Sequence, residues 1–507
     1  MARIRHGEVL SLEELDLARK DIEGINARVG SAVARASIAE LTPFDYLFNK
    51  LQRDDCLLPA ENPEETVRNL KSLAATMRDP DDGPALDSTI PAAYTYFGQF
   101  VDHDITLEAQ SQHINLADPA LKPLPLNEVR ETIKNSRTPQ LDLDCVYGPT
   151  SDGTPVPRVC AELLVSVVSK SGYRPPGKDE FNDLPRKKRD PGKPSVDREA
   201  LIGDARNDEN LIISQLHVAF LRAHRALVMR GLSYTQAKKT LVEHYQYLII
   251  HDFLRRIANK NIVDDILKYG NRFFRPPACG LYIPLEFNVA AYRFGHSMVR
   301  NTYDYNINFR AGSAATLNQL FDATRFSGDF KEFDHIPEKW IIQWENFLDG
   351  GANLARRIDT RLAKELFQIP RIPGLPANRI DSLAARNLLR GYLLRMPIGQ
   401  SVAEAAGVPG MSKKEIERAA ANQQQVKVLT DSGFLTRTPL WFYILAEAVE
   451  RNELGPVGST IVAEVLIGLV RRTEGSILNQ PEWKPSLGAN PGRFTLRDLF
   501  SLAGVWK

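Results

Sequence analysis

The sequence predicts a mainly α protein with very little sheet. Three observations carry this expectation. Apolar residues recur at three- to four-residue spacing over long segments, the strict alternation of a half-buried strand is rare, and 507 residues of 43% hydrophobic content suffice for a large core.

Taken in chain order, residues 1–85 read as polar helices and loops wrapping something larger, with helical spacing in LSLEELDLARKDIEGINARV at 10–29. From 86 the apolar stretches lengthen. The segment 209–230 repeats Leu216, Phe220, Ala223 and Leu227 along one face and predicts an amphipathic helix packed in the interior. Segments 235–257, 285–300 and 459–473 predict three more. The Pro-, Gly- and charge-rich stretch 168–200 reads as a surface insertion, with its basic run RKKRD at 186–190 as a solvated loop. Further turn-rich breaks fall at 369–378 and 485–492.

Composition excludes several classes. Basic and acidic residues number 64 and 63, so no net field is available to draw nucleic acid or an anionic membrane. No run reaches the ~18 apolar residues of a membrane span. Cys56, Cys145, Cys160 and Cys279 are too sparse for a disulfide framework and form no CxxC pair, which points to a reduced compartment or a fold indifferent to oxidation. The N-terminus lacks the apolar core of a secretory signal, so a cytoplasmic location or leaderless export is expected.

Nine histidines can be weighed singly. His217 and His224, like His244 and His251, are seven apart; two helical turns rise ~10.5 Å, too far for one metal ion, so these read as core histidines. His6, His113 and His335 lie in polar surroundings. His103 and His296 differ. In YFGQFVDHDITL, His103 stands between Asp102 and Asp104, with Gln99 one turn upstream on the same face.

Four stretches then occur in order: FGQFVDHDIT at 97–106, TPQLDLDCVYG at 138–148, GDARNDENLIISQLH at 203–217 and YRFGHSMVR at 292–300. Together they resemble the peroxidase–cyclooxygenase superfamily, the haem peroxidases that include the animal myelo-, lacto- and thyroid peroxidases, and the chain looks most like a bacterial-type member. The resemblance covers about residues 86–500. It implies a single haem peroxidase domain at 86–507 with a helical and loop extension, 1–85, packed on it. The implied cofactors are haem b and Ca2+. The implied reaction is reduction of hydrogen peroxide through an oxyferryl intermediate, with small phenolic or organic donors, or a halide, supplying electrons.

Site residues follow from the same resemblance, position by position. His103 matches the distal histidine that moves the peroxide proton, Gln99 the glutamine that orients distal water or halide, and Arg206 the distal arginine. Asp102 and Glu209 match the carboxylates that can join haem methyl groups as esters. Asp104 matches a calcium ligand, completed by Thr138, the Gln140 carbonyl, Asp142 and Asp144; animal members generally carry serine at the last of these. His296 matches the proximal iron ligand and Arg293 an arginine that pairs with a haem propionate. The proximal histidine's hydrogen-bond partner falls on Gln400 by alignment, where the family usually has asparagine, with Asn387 as a second candidate. Fatty-acid dioxygenases of the superfamily carry a radical-forming tyrosine three residues before the proximal histidine. Here that residue is Arg293, and on an α-helix Tyr292 would point about 100° away, so dioxygenation is disfavoured. A catalytically silent, calcium-stabilised interaction protein is a further alternative.

Overall fold

The computed structural model describes Leu10–Ser11 and residues 41–506, apart from 80–82, 84–85, 111–114, 151–152, 191, 193–196, 278–279, 311, 323–329, 331 and 370–379. Helices dominate. Those that matter below are α1 (Pro63–Thr76), α2 (Ala93–Ile105), α3 (Leu211–Met229), α4 (Tyr234–Leu248), α5 (Leu383–Leu393), α6 (Leu440–Ala448) and α7 (Pro456–Arg472). The helices expected at 209–230 and 459–473 are α3 and α7. The helical spacing at 10–29 lies almost wholly outside the described residues.

Local chemistry explains the helix starts. Asn62 caps α1, accepting from the Glu65 N–H at 3.3 Å, and Pro63 occupies the first turn, where a missing donor costs nothing. Asn210 caps α3 in the same way through the Ile213 N–H at 3.0 Å. Ser233 and Gln236 form a reciprocal capping box on α4.

Two expected helices are broken up. Segment 235–257 is α4, then a π-turn at Ile249–Phe253, then a last α-turn at Leu254–Ile257. Segment 285–300 is a π-turn at Glu286–Ala290 followed by a 3-10 stretch at Ala291–Met298. Apolar spacing shows which face is buried but not how many residues fill each turn. The phase after a wide turn therefore departs from an α-helical reading.

Sheet is confined to short pieces. One small five-stranded sheet runs in the order Leu10–Ser11, Glu108–Gln110, Ile133–Asn135, Thr42–Asp45, Ile283–Pro284. It ties the N-terminal segment to the strand just after α2 and to the strand just before the π-turn at 286. Glu286, fully buried, accepts from the Leu47 and Phe48 N–H groups at 2.8 and 3.0 Å, and the Tyr46 hydroxyl donates to the Leu394 carbonyl at 3.0 Å.

Within 168–200, most of 170–181 is exposed, as a surface insertion requires, whereas 182–185 and 197–200 are buried. Lys178 is buried, donating to the Val505 carbonyl and to Glu345. Within RKKRD the expectation of a solvated loop fails at Arg186, whose side chain is fully buried between Asp183 and Asp208, at 2.9 and 2.7 Å. Two carboxylates satisfy its planar fork, which offsets the cost of removing the charge from water. Lys188 and Arg189 are exposed. Among the described residues no helix is long and apolar enough to cross a membrane.

α7 is buried along nearly its whole length and is fastened by one carboxylate. Glu464 accepts from the backbone N–H groups of Arg272, Phe273 and Phe274 at 2.7, 3.1 and 2.9 Å. One turn on, Gly468 admits the Phe274 ring, whose Cδ1 would stand 2.4 Å from any Cβ there. Glu464→Ala leaves these amides without an acceptor. It should lower unfolding free energy by about 3 kcal/mol, read from urea denaturation, with Glu464→Gln losing less.

Candidate functional site

A cavity of about 930 Å³ lies between α2, the loop before α3 and the 291–298 segment. Gln99 and Asp102 reach it from α2, Glu209 and Asn210 from the loop, and His296 from the opposite side. The remaining wall is mostly apolar, including Phe294, Leu317, Leu366 and Leu383. A cavity of this size and lining suits a large, mostly apolar ligand.

On one side stand the carboxylates. Asp102 is buried, and burial raises its pKa against the opposing pull of Arg293, Arg206 and a 2.9 Å hydrogen bond from the Thr106 hydroxyl. The Gln99 amide donates to Glu209 Oε1, and the same oxygen lies 3.9 Å from His103 Nε2. His103 is thus one side chain back from the cavity. Its Nδ1 donates to Asn207 Oδ1 at 2.8 Å, and Asn207 Nδ2 donates in turn to His217 Nδ1 at 3.0 Å. Burial, helped by Arg206, pushes the His103 pKa down to about 3, so the ring is neutral at neutral pH. Asn207 was not among the expected residues. Nothing in its spacing marks it, because its contact with His103 spans 104 positions.

Arg206 does not line the cavity. Its guanidinium bonds Asp204 at 2.7 Å and donates to the His103 carbonyl at 3.1 Å and to the Thr106 carbonyl, closing the C-terminal end of α2. A buried carboxylate two residues away captures the charge, which spacing alone cannot foresee. Burial works to raise the Asp204 pKa, but Arg137 and Arg206 outweigh it and hold the carboxyl well below the usual range.

On the other side, His296 sits with Nδ1 2.8 Å from the Asn387 side-chain amide. A half-turn of that amide brings its oxygen to the ring, so that Nδ1–H donates and Nε2 carries the lone pair a metal needs. Burial, helped by Arg293, holds the imidazole pKa well below its ordinary value, as a neutral ligand requires. Gln400, the partner expected from alignment, is engaged elsewhere: its amide nitrogen donates to the Thr438 hydroxyl at 2.7 Å and its oxygen accepts from the Thr438 N–H. The partner is Asn387, because α5 and not the following helix faces the 291–298 segment at this level.

Arg293, the residue matched to a propionate partner, donates from Nε to the Asn288 carbonyl at 2.9 Å. Tyr292, expected to point away, lines the cavity. Its buried hydroxyl has no partner among the described residues. The wide turn at 286–290 and the 3-10 winding after it shift the side-chain phase, which removes the geometric argument against this tyrosine.

The expected calcium set divides. Asp104 is fully buried and accepts from the Leu143 and Cys145 N–H groups at 3.2 and 3.0 Å, so the 138–144 loop folds onto it. Its pKa is raised to about 8 by burial and then by the charge of Asp142; that of Asp142 rises to about 6 by burial and the charge of Asp144. Asp142 Oδ1 is buried without a partner among the described residues. Thr138 and Gln140 form a tight turn, with the Gln140 N–H donating to the Thr138 carbonyl at 2.8 Å. Asp144 instead pairs with Arg137 at 3.2 Å. Among the described residues no three acidic, histidine or cysteine side chains are grouped to hold a metal. Within this set, Asp142 keeps an oxygen free of partners among the described residues, while Arg137 answers Asp144.

A sequence model of the animal haem peroxidase family matches residues 118–462. A peroxidase-like protein of Margaritifera margaritifera is 26% identical over 277 residues, 46% of this chain and 35% of that protein. The chain spans little more than a third of the length of the curated relatives it matches. Peroxidase A from Dictyostelium discoideum superposes with a TM-score of 0.57 at 16% identity, covering 92% of this chain and 94% of its own. A fatty acid alpha-dioxygenase from Oryza sativa does so at 0.55 and 13%, covering 92% and 78%. At such identities these likenesses speak for a shared fold.

Asn387→Leu removes the His296 partner and should weaken haem retention by about tenfold or more, whereas Gln400→Leu should leave it unchanged. Haem absorbance per protein after gel filtration distinguishes the two.

Proposed function

Since the chain belongs to the animal haem peroxidase family, we propose that it is a haem peroxidase that reduces hydrogen peroxide with electrons from small organic donors. One observation carries the reading: a neutral, amide-held His296 on the wall of a 930 Å³ cavity that also presents Gln99, Asp102 and Glu209.

Haem, when bound, supplies the iron that exchanges electrons with peroxide and donor. His296 would hold that iron, with Asn387 fixing the ring and raising its basicity. Asp102 and Glu209 are the carboxylates available at the cavity wall for attachment to the macrocycle. His103 Nε2 accepts the peroxide proton, and the bond from Nδ1 to Asn207 keeps the basic lone pair on that atom. Arg206 acts from behind the wall, fixing the backbone on which His103 is carried. Asp104 and Asp142, with oxygens of the 138–144 loop, would bind calcium and hold the end of α2. Residues 1–85 belong, in this reading, to an extension packed on a domain at 86–507.

A second reading is favoured by Tyr292, whose unpartnered hydroxyl faces the cavity. A tyrosine so placed could abstract hydrogen from a lipid, the chemistry of a dioxygenase. Oxygen uptake with linoleic acid in the absence of peroxide would support it; none is expected.

Haem-supplemented protein should show a Soret band that shifts transiently on adding peroxide, and a colourless preparation would refute the proposal. His103→Ala should keep haem and lose peroxide turnover by about 10²–10⁴-fold, while His296→Ala should lose haem itself. Calcium at a hundredfold excess over its dissociation constant should stabilise the protein by about 2.7 kcal/mol, lost with EGTA. Asp142→Asn should abolish that response in a thermal melt and Asp144→Asn should leave it.

A further inference from the structure

We propose that Tyr96 and Tyr303 form a hydrogen-atom exchange pair that holds one oxidising equivalent outside the cavity. The proposal rests on the haem peroxidase reading and concerns residues that reading does not use.

Three tyrosines line the cavity: Tyr94, Tyr96 and Tyr292. They differ in what surrounds the phenol. Tyr94 carries the Arg256 guanidinium 4.4 Å from its ring centre, and a cation there opposes loss of an electron. The Tyr292 hydroxyl has no partner among the described residues. The Tyr96 hydroxyl is bonded to a second phenol, donating to the Tyr303 oxygen at 2.9 Å with ring centres 6.0 Å apart. Both rings are buried, at 3% and 1% exposure. The Tyr303 oxygen also accepts from the Arg300 N–H at 3.0 Å. Behind it, Tyr303 stacks on Phe347 at 5.7 Å, and Phe347 meets Tyr305 edge-on at 6.1 Å. Tyr303 therefore lies in dry aromatic surroundings, one hydrogen bond from the cavity wall.

The exchange balances without a further reactant. Tyr96 gives one electron to the oxidising equivalent that hydrogen peroxide leaves on the bound cofactor, and its hydroxyl, turned from the Tyr303 oxygen toward the cavity that the residue lines, releases its proton to water there. Burial holds the Tyr96 phenol well above its ordinary pKa, so electron and proton leave together and no phenolate intervenes. The Tyr96 oxygen, now stripped of hydrogen, accepts from Tyr303. The Tyr303 O–H breaks, the Tyr96 O–H re-forms, and the unpaired electron resides on Tyr303, still bonded to the Arg300 N–H. A donor in the cavity that reduces Tyr96 with one electron and one proton runs the sequence backward.

The test is rapid-freeze electron paramagnetic resonance on haem-loaded protein after one equivalent of peroxide. A tyrosyl signal is expected that narrows when tyrosine is ring-deuterated, a comparison that needs no substitution. Tyr303→Phe should change its hyperfine pattern and abolish the long-lived component, Tyr96→Phe should abolish the Tyr303 signal, and Tyr292→Phe should leave it. Phenylalanine retains both rings, and haem absorbance reports that each variant is loaded. The pair is overturned if a wild type whose Soret band answers peroxide gives no tyrosyl signal. It is also overturned if the Tyr96→Phe/Tyr303→Phe variant gives the wild-type signal, or if only Tyr292→Phe removes it. A Soret band that ignores peroxide overturns the haem reading and the pair with it.

Discussion

The carboxylate of Asp204 sits between two guanidiniums, with Arg137 Nη2 and Arg206 Nη2 each 2.7 Å from Oδ2, and all three side chains are buried. Removing such charges from water is costly, and the arrangement persists only because each partner is answered on several sides. Arg206 Nη2 also donates to carbonyls at the end of α2, and Arg137 reaches Asp144 and the Gly203 carbonyl. Three segments distant in sequence thereby meet at one point: the end of the helix carrying His103, the 137–144 loop, and the 203–210 loop carrying Asn207 and Glu209. The cavity wall is as firm as this junction.

Much of the site was legible because its residues lie in short motifs whose order and spacing are distinctive. Gln99, Asp102, Glu209 and His296 come from three such motifs, and the fold brings all four to one cavity. What escaped was decided by packing between motifs. Whether His296 meets Asn387 or Gln400 depends on which helix lies level with it. Arg206 faces Asp204 because an acid happens to stand two residues away in a dry setting. Arg186 looked like part of a solvated basic run until two buried aspartates, one of them at 208, proved to surround it. The mainly helical class was plain from periodicity; the wide turns at 249–253 and 286–290 were not, since the same buried face is compatible with several windings.

The histidines illustrate how burial assigns roles. His103, His217 and His296 are all held neutral by desolvation, and each has an amide against Nδ1. One amide, Asn207, serves two of them. A neutral ring gripped at Nδ1 presents a defined Nε2, so the same local device can furnish a proton acceptor in one place and a metal ligand in another.

The π-turn at Glu286–Ala290 bears on how this cavity could change over evolutionary time. A helix that gains or sheds one residue rotates everything downstream by roughly a quarter-turn or more. Tyr292 and Arg293 are neighbours, so the length of a single turn upstream selects whether a phenol or a guanidinium is offered to the ligand. Two enzymes with the same residues in this stretch could then diverge in chemistry through an insertion or deletion alone, with no side chain in the pocket replaced.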